Sequence, residues 1–197
     1  MQPAEPDGLD VDGLLKGIYL FQSGAKQRKK SAQILASGVG MNWALKAAKL
    51  LESDWGVSAS VWSVTSWNEL RRDGLAVDRH NLLHPSDQRS AYVTNKLKDA
   101  LGPVIAVSDY MRAVQDQIAS WVEQDFVSLG TDGFGLSDTR GALRRHFKVD
   151  AESIVIATLA ALAKAGEVKQ SVIQEAIDKY QINDINAADP GNTEGSG

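Results

Sequence analysis

The sequence predicts an α/β fold, a mostly parallel sheet with helices on both faces, and three observations carry that prediction. Residues 57–64 (VSASVWSV) alternate apolar and small polar side chains, 104–107 (VIAV) form the continuous apolar run of a strand buried on both faces, and 126–129 (FVSL) make a third such segment. Helical patterns separate these segments, so the strands return by crossovers and run parallel, with helices on both sides of the sheet. Ser37-Gly38-Val39-Gly40 lies between an apolar run and a helical pattern, which is the strand, glycine, helix layout of an α/β unit.

Taken in order, residues 1–12 carry two of the five prolines and no periodic apolar pattern, and read as an extended lead-in such as the cut edge of a larger protein would leave. Residues 17–21 (GIYLF) and 32–36 (AQILA) are short apolar runs joined by a stretch that holds Gly24, Lys26, Arg28, Lys29 and Lys30. They read as two strands across a solvated basic loop, a spacing that admits an antiparallel pair; a phosphate site on that loop is the alternative to a plain charged turn. After the glycines, Trp43, Ala44, Ala47, Ala48 and Leu51 recur at helical spacing. A helix that starts there directs backbone N–H groups and the positive end of its dipole at one point, so Gly38 and Gly40 form an alternative anion site for a phosphate or nucleotide. The dinucleotide fingerprint is incomplete, since Trp43 stands where its third glycine belongs.

Ser66 starts the next helix as N-cap, with Glu69 placed to complete a capping box. That helix is expected to fade by Gly74 into an irregular stretch reaching Pro85. His80 and His84 would suit a metal on a helix, but only Asp78 and Asp87 stand near them as further ligands, so surface histidines in a loop are the simpler reading. Residues 91–100 are amphipathic and helical up to Gly102-Pro103. Ser108 or Asp109 then caps a helix over 110–122 with Met111, Val114, Ile118 and Val122 along one face. Past 126–129, residues 139–147 read as a short helix capped by Ser137 or Asp138. Asp150 caps a strong helix that buries Ile154, Val155, Leu159 and Leu162 and ends at Gly166. A last helix over 170–180 buries Val172, Ile173, Ala176, Ile177 and Tyr180. From Asn183 the chain is polar with glycine and proline, and is expected to be disordered. The expected division is a lead-in over 1–12, one domain over 13–182 and a tail over 183–197.

Composition narrows the function. A chain of 197 residues with 43% hydrophobic side chains fills one core, and 21 basic against 25 acidic residues argue against nucleic acid as a partner. The absence of cysteine removes disulfides, thiol nucleophiles and thiolate metal sites, and fits a reducing cytosol. No apolar run approaches the ~20 residues that span a bilayer. The first residues are acidic rather than basic-then-apolar, so a cytoplasmic location with no membrane partner is expected.

Chemistry-bearing residues concentrate in 130–140 (GTDGFGLSDTR), followed at once by Arg144-Arg145-His146-Phe147. Gly133-Phe134-Gly135 has the look of a phosphate cradle, yet the neighbouring aspartates repel an anion. Asp132, Ser137 and Asp138 supply oxygens for a cation without the EF-hand spacing or its terminal glutamate. Ser137 with His146 and Asp132 or Asp138 holds the ingredients of a nucleophilic triad, without the G-x-S-x-G setting. The structural reading, glycines that shape a turn into a capped helix, is the best of the four. The sequence has no P-loop, metalloprotease helix or CxxC pair, and so no self-sufficient catalytic constellation.

These same residues carry a resemblance. Ile34-Leu35-Ala36-Ser37-Gly38, Val61-Trp62-Ser63-Val64-Thr65-Ser66-Trp67, Leu70-Arg71-Arg72-Asp73-Gly74, Leu83-His84-Pro85, Val107-Ser108-Asp109-Tyr110-Met111 and residues 130–147 occur in one order. Together they resemble the C-terminal domain of the homodimeric bacterial pyruvate dehydrogenase first component, in its actinobacterial branch, within the transketolase superfamily. The resemblance implies a transketolase C-terminal-like, three-layer α/β/α unit whose five-stranded, mostly parallel sheet has one antiparallel strand. It also implies a full-length enzyme that decarboxylates pyruvate and acetylates lipoyl groups of a dihydrolipoyl acetyltransferase. Thiamine diphosphate and magnesium would lie between the two preceding domains, in a site built by dimerisation. The cofactor signature of such enzymes, Gly-Asp-Gly and a later Asn-Asn, has no counterpart: Thr131 precedes Asp132-Gly133, and no Asn-Asn pair occurs. No catalytic, cofactor-binding or metal residue is therefore expected here, and the chain alone is expected to be inactive. Its work would be structural, docking on the preceding domains of the same chain and packing against the second subunit. Asp132, Phe134, Ser137, Asp138 and Arg140 are the expected interface-loop residues, because polar groups able to face a partner gather there beside glycines.

Overall fold

The structure is a computed structural model that describes residues 3–25 and 30–188. Lys26, Arg28 and Lys29 of the basic loop, and residues 189–197 of the expected tail, lie outside the described residues.

Helix α1 (Val11–Lys16) begins inside the stretch expected to be a lead-in, because Asp10 accepts a hydrogen bond from the Gly13 N–H and caps it. Gly17, at φ 104°, turns the chain out of α1 into β1 (Ile18–Gln22). There follow β2 (Ser31–Ala36), α2 (Gly40–Trp55), β3 (Ser58–Val64) and α3 (Trp67–Leu83). The second half holds α4 (Tyr92–Leu97), β4 (Val104–Val107), α5 (Arg112–Asp116), β5 (Phe126–Leu129), α6 (Arg140–His146), α7 (Ala151–Lys164) and α8 (Gln170–Lys179).

The five strands form one sheet in the order β1-β3-β2-β4-β5, with β1 antiparallel to β3 and all other pairs parallel. This is the expected mostly parallel sheet with one antiparallel strand. The first two strands do not pair with each other, however, since β3 lies between them. Burial explains the placement: β2 is buried at every position after Ser31 and takes partners on both edges, whereas the half-exposed β1 suits an edge.

Successive residues of the central strands point to opposite faces. Ile34, Ala36, Val61, Ile105 and Val107 pack with Leu51 of α2 and Leu159 and Leu162 of α7, against which α8 is laid. Leu35, Trp62, Val64, Val104 and Ala106 pack on the other face with Trp67 and Leu70 of α3, Val93 and Leu97 of α4, and Ile118. Each fully buried Leu or Ile contributes about 1.5–3 kcal/mol, and both layers are built from such residues.

Three helical expectations are corrected. Helix α3 does not fade at Gly74 but runs to Leu83, so His80 sits on the helix and His84 caps it. A Cβ on Gly74 would stand 2.4 Å from the Trp121 ring, so this glycine serves a close approach and not a stop. The helix expected over 110–122 is only the short α5 followed by a 3-10 turn, Ala119–Trp121, and Met111 is exposed. The tighter turn lays Trp121 against Gly74 and lets its indole N–H donate to Asp78 at 3.0 Å. The α6 cap is Thr139, which accepts from the Ala142 N–H at 3.3 Å, while Asp138 accepts from Thr139 itself.

The capping box at α3 is half formed. Ser66 Oγ accepts from the Glu69 N–H at 3.1 Å, but the Ser66 N–H donates to the Gly17 carbonyl and Glu69 pairs with Arg72. Within the expected tail, Ile185–Ala187 forms a 3-10 turn. Among the described residues, no helix is long and apolar enough to cross a membrane.

Candidate functional site

The carboxyl edge of the parallel strands holds the candidate site, because the connection from β2 leads to one side along the sheet and that from β4 to the other. Ser37 and Ser108 end these two neighbouring strands. Ser37 Oγ donates to Ser108 Oγ at 2.9 Å and accepts from the indole N–H of Trp67 at 3.0 Å. Ser108 Oγ also accepts from the Tyr110 N–H at 3.2 Å. Above them opens a crevice of about 600 Å³ whose lining includes Met41, Thr65, Trp67, Asn68 and Tyr110.

The alternative anion site falls at the rim of this crevice, and the geometry does not favour it. Helix α2 starts here, but the N–H groups of Gly40, Met41 and Asn42 turn back to the carbonyls of Ser37, Gly38 and Val39 at 3.0 to 3.3 Å. A Cβ on Gly38 would meet Asp109 Oδ1 at 3.7 Å, so a carboxylate stands where an anion would approach. Gly40 has a packing role, since its Cβ would lie 3.3 Å from the Val107 carbonyl.

The 130–140 loop is tied to the segment after β4. Thr131 N–H donates to the Tyr110 carbonyl at 2.9 Å, and a Cβ on Gly130 would come within 2.5 Å of that oxygen. Asp132 reaches across to α5, accepting from the Arg112 backbone N–H at 2.9 Å and from Arg112 Nε at 2.7 Å. The Arg112 guanidinium holds the Asp132 carboxyl below its usual range, and Asp132 in turn raises Arg112. Beyond it the loop is exposed: Gly133 has φ 85°, Phe134 is 96% exposed, and Ser137, Asp138 and Arg140 are exposed.

The triad ingredients are not brought together. Asp132 is engaged by Arg112, the His146 ring stands edge-on to Phe147 at 4.9 Å, and no hydrogen bond joins Ser137 to His146 among the described residues. His80 Nε2 contacts Asp87 Oδ2 at 3.0 Å and its ring stacks on His84 with centroids 4.2 Å apart. Among the described residues no three His, Cys, Asp or Glu side chains cluster to hold a metal.

Two clusters were hidden from sequence reasoning. Arg145, read as one of a basic run, is 1% exposed and is the largest fully buried side chain among the described residues. It pairs with Asp150 and with Glu152 and donates to the carbonyls of Tyr180, Gln181 and Asp184 at 3.2 to 3.4 Å. Asp150 also caps α7 through the Ser153 N–H at 3.0 Å, and Glu152 holds Lys46 at 2.8 Å. In the second cluster, the Tyr180 hydroxyl donates to Asp54 at 2.7 Å and accepts from the Trp55 indole at 2.9 Å. Burial, and then the Asp54 carboxylate, push the Tyr180 phenol up, while Lys179 at 2.9 Å holds Asp54 below its usual range. In the sequence the one sign of the first cluster is a cation, Arg145, five residues before the N-cap Asp150.

A five-stranded, mostly parallel sheet of this order, covered by helices on both faces, defines a three-layer α/β/α domain. Residues 17–150 match the family described as the transketolase-like TK C-terminal domain, and the chain belongs to that family. It is 58% identical over 188 residues to the pyruvate dehydrogenase E1 component of Mycolicibacterium smegmatis, a match that covers 95% of this chain and 20% of that protein. The corresponding component of Mycobacterium tuberculosis is 53% identical over 197 residues, with 97% of this chain and 21% of that protein covered. That of Escherichia coli K12 is 42% identical, with 92% and 20% covered. The chain thus spans about a fifth of the length of these relatives, and the resemblance read from the landmarks holds.

Solved structures agree on the fold. Transketolase from Leishmania mexicana superposes with a TM-score of 0.56 at 20% identity over 80% of this chain and 20% of that one. A split gene transketolase, an inactive beta4 tetramer, gives 0.51 at 21% identity over 75% of this chain and 43% of that one. The family depends on thiamine diphosphate, and the start of α2 at the crevice does not fit its diphosphate. There the N–H groups of Gly40, Met41 and Asn42 are turned inward and Asp109 Oδ1 stands beside Gly38, which is the wrong chemistry for a diphosphate.

Proposed function

We propose that this chain is the non-catalytic C-terminal domain of a thiamine-diphosphate-dependent pyruvate dehydrogenase (acetyl-transferring). The full polypeptide decarboxylates pyruvate, with magnesium beside the cofactor in its preceding domains, and passes the acetyl group to lipoyl groups of a dihydrolipoyl acetyltransferase in the cytoplasm. The observation that carries this reading is the 58% identity to a pyruvate dehydrogenase E1 component across 95% of the chain. The domain over 13–182 supplies binding surface: it docks on the preceding domains and packs against the second subunit of a homodimer. Asp132, Phe134, Ser137, Asp138 and Arg140 are its interface-loop residues, a role supported by their exposure and by the anchoring of the loop through Asp132 and Arg112.

The test is turnover of pyruvate with a lipoyl acceptor, thiamine diphosphate and magnesium, measured on the full polypeptide and on the 197-residue chain. The full polypeptide is expected to acetylate the acceptor and the chain alone to do nothing. Activity in the chain alone overturns the non-catalytic assignment; a cofactor-loaded full polypeptide that leaves pyruvate untouched overturns the reading as a whole.

A further inference from the structure

Helix α1 is held by polar bonds at its two ends and by little apolar burial between them. Six residues are too few for a helix to persist in water unaided, so its contacts decide whether it forms. Val11 and Leu15 are exposed, Leu14 is half-buried, and Gly13 alone of the six is buried. A Cβ on Gly13 would stand 2.5 Å from Asp10 Oδ2, so this glycine makes room for a carboxylate and adds nothing to a core.

That carboxylate works in two directions. Asp10 Oδ1 accepts from the Gly13 N–H at 2.9 Å and caps α1, while Oδ2 accepts from Lys96 Nζ of α4 at 2.6 Å. Lys96, and then the Gly13 N–H, hold the Asp10 carboxyl below its usual range. Lys96 stands on a rigid base. Val93 and Leu97 of the same helix are fully buried, and Asp73 of α3 accepts from the Tyr92 N–H at 2.6 Å. The Tyr92 ring also attracts the ammonium groups of Lys16 and Lys96, which lie 5.2 and 5.4 Å from its centroid. At the other end of α1, the Gly17 carbonyl accepts from the N–H groups of Thr65 and Ser66 at 3.0 and 3.3 Å, and Thr65 Oγ1 donates to the Leu14 carbonyl at 2.6 Å. The next residue, Ile18, is fully buried in β1. The exit from α1 is thus fixed in the fold, whereas its start hangs on one ion pair whose side chains are 29% and 37% exposed.

We propose that α1 is a latched strap, which opens as a unit about Gly17 when the Asp10–Lys96 pair separates while the sheet stays folded. Segments held by few buried apolar contacts open locally, well before the fold as a whole. Opening has two results. Residues 3–9, which lead into α1, swing with it, so the latch sets how firmly this domain is fixed to a preceding one. Lys96 also lines a crevice of about 400 Å³ at the amino ends of β2 and β3, with Ser31, Gln33, Ser58, Asp99 and Leu101. Closed, the latch neutralises the ammonium there; open, it leaves that charge facing the crevice. The strap is a property of this chain and does not depend on which reaction the longer polypeptide carries out.

Hydrogen exchange of the full polypeptide, read on peptides that cover 11–17 and 104–107, tests the strap. Lys96→Met removes the ammonium, and Asp10→Asn removes the carboxylate charge but keeps a helix cap. Each is expected to speed exchange over 11–17 by about 5-fold, with Lys96→Arg close to the parent rate and 104–107 unchanged throughout. Both changes break one contact, so the double variant is also expected at about 5-fold and not at ~25-fold. Unchanged exchange over 11–17 in the two single variants overturns the latch, as does a double variant near ~25-fold. Exchange at 104–107 that rises in step with 11–17 overturns the strap, because the domain then opens as a whole. Turnover is not part of the readout, so failure of the pyruvate assay refutes the functional assignment and leaves the strap standing.

Discussion

Replacing Arg145 by methionine tests how the C-terminal layer is held. The substitution keeps the length and apolar stem of the side chain and removes the guanidinium that faces Asp150, Glu152 and three carbonyls. Glu152 retains Lys46 as a partner, so Asp150, with a side chain 3% exposed, is the charge left stranded. Removing one member of a buried pair costs about 3–5 kcal/mol, a large share of the ~5–15 kcal/mol that holds a domain together. With a urea dependence near ~2 kcal/mol/M, the unfolding midpoint falls by about 1.5–2.5 M. Tryptophan fluorescence reads the transition, since the sequence has five Trp, and Trp43 and Trp55 lie on α2 beside the cluster. Adding Asp150→Asn is expected to restore most of the loss, because asparagine keeps the cap on α7 and leaves no buried charge. Hydrogen exchange at Gln181 to Asp184 should rise in Arg145→Met. A midpoint shift below about 0.5 M, or a double variant no more stable than the single one, would refute the argument that the buried cation organises this layer.

Three further outcomes follow from contacts already described. The Tyr180 phenol is raised in the fold and ionises at about pH 10 in the unfolded chain, so the stability it contributes is complete below ~pH 10 and declines as the pH climbs toward the folded value. Tyr180→Phe should remove that alkaline slope from melting curves taken across pH 9–11, and an unchanged slope counts against it. Gly74→Ala, which in an open helix gains about 1 kcal/mol, is expected here to cost ~1–3 kcal/mol because its Cβ meets the Trp121 ring, and a raised melting temperature would contradict the contact. Calorimetry with ADP, phosphate or thiamine diphosphate plus magnesium should show no saturable heat; saturable phosphate or ADP binding lost in Gly40→Asp would reinstate the anion site.

What the sequence reveals of this molecule is what local chemistry dictates. The alternation in 57–64 and the apolar runs at 104–107 and 126–129 place β3, β4 and β5 because strand burial writes its own period. Ser66 and Asp150 mark helix starts because their side chains bond the next turn. Gly74 misleads because a glycine at a stop and a glycine under an indole look alike until Trp121 is placed beside it. Arg145 misleads for the same reason, since its acceptors at Tyr180, Gln181 and Asp184 lie far along the chain. The 130–140 loop is legible as a concentration of polar groups, but that Asp132 serves α5 is a long-range fact.

The separation of β1 from β2 by β3 has a consequence for how the chain acquires this sheet. During synthesis both early strands exist before either native partner has been made, and only a short basic loop keeps them apart. The hairpin that local sequence suggests is therefore expected to compete, and once formed it would have to open before β3 could insert between them. A peptide spanning residues 17–37 that shows cross-strand contacts between β1 and β2 would reveal the competitor; one that stays unpaired would remove it. The lysines and arginine of that loop then gain a kinetic meaning, since mutual repulsion weakens a tight turn and biases the nascent strands toward waiting for the right neighbour.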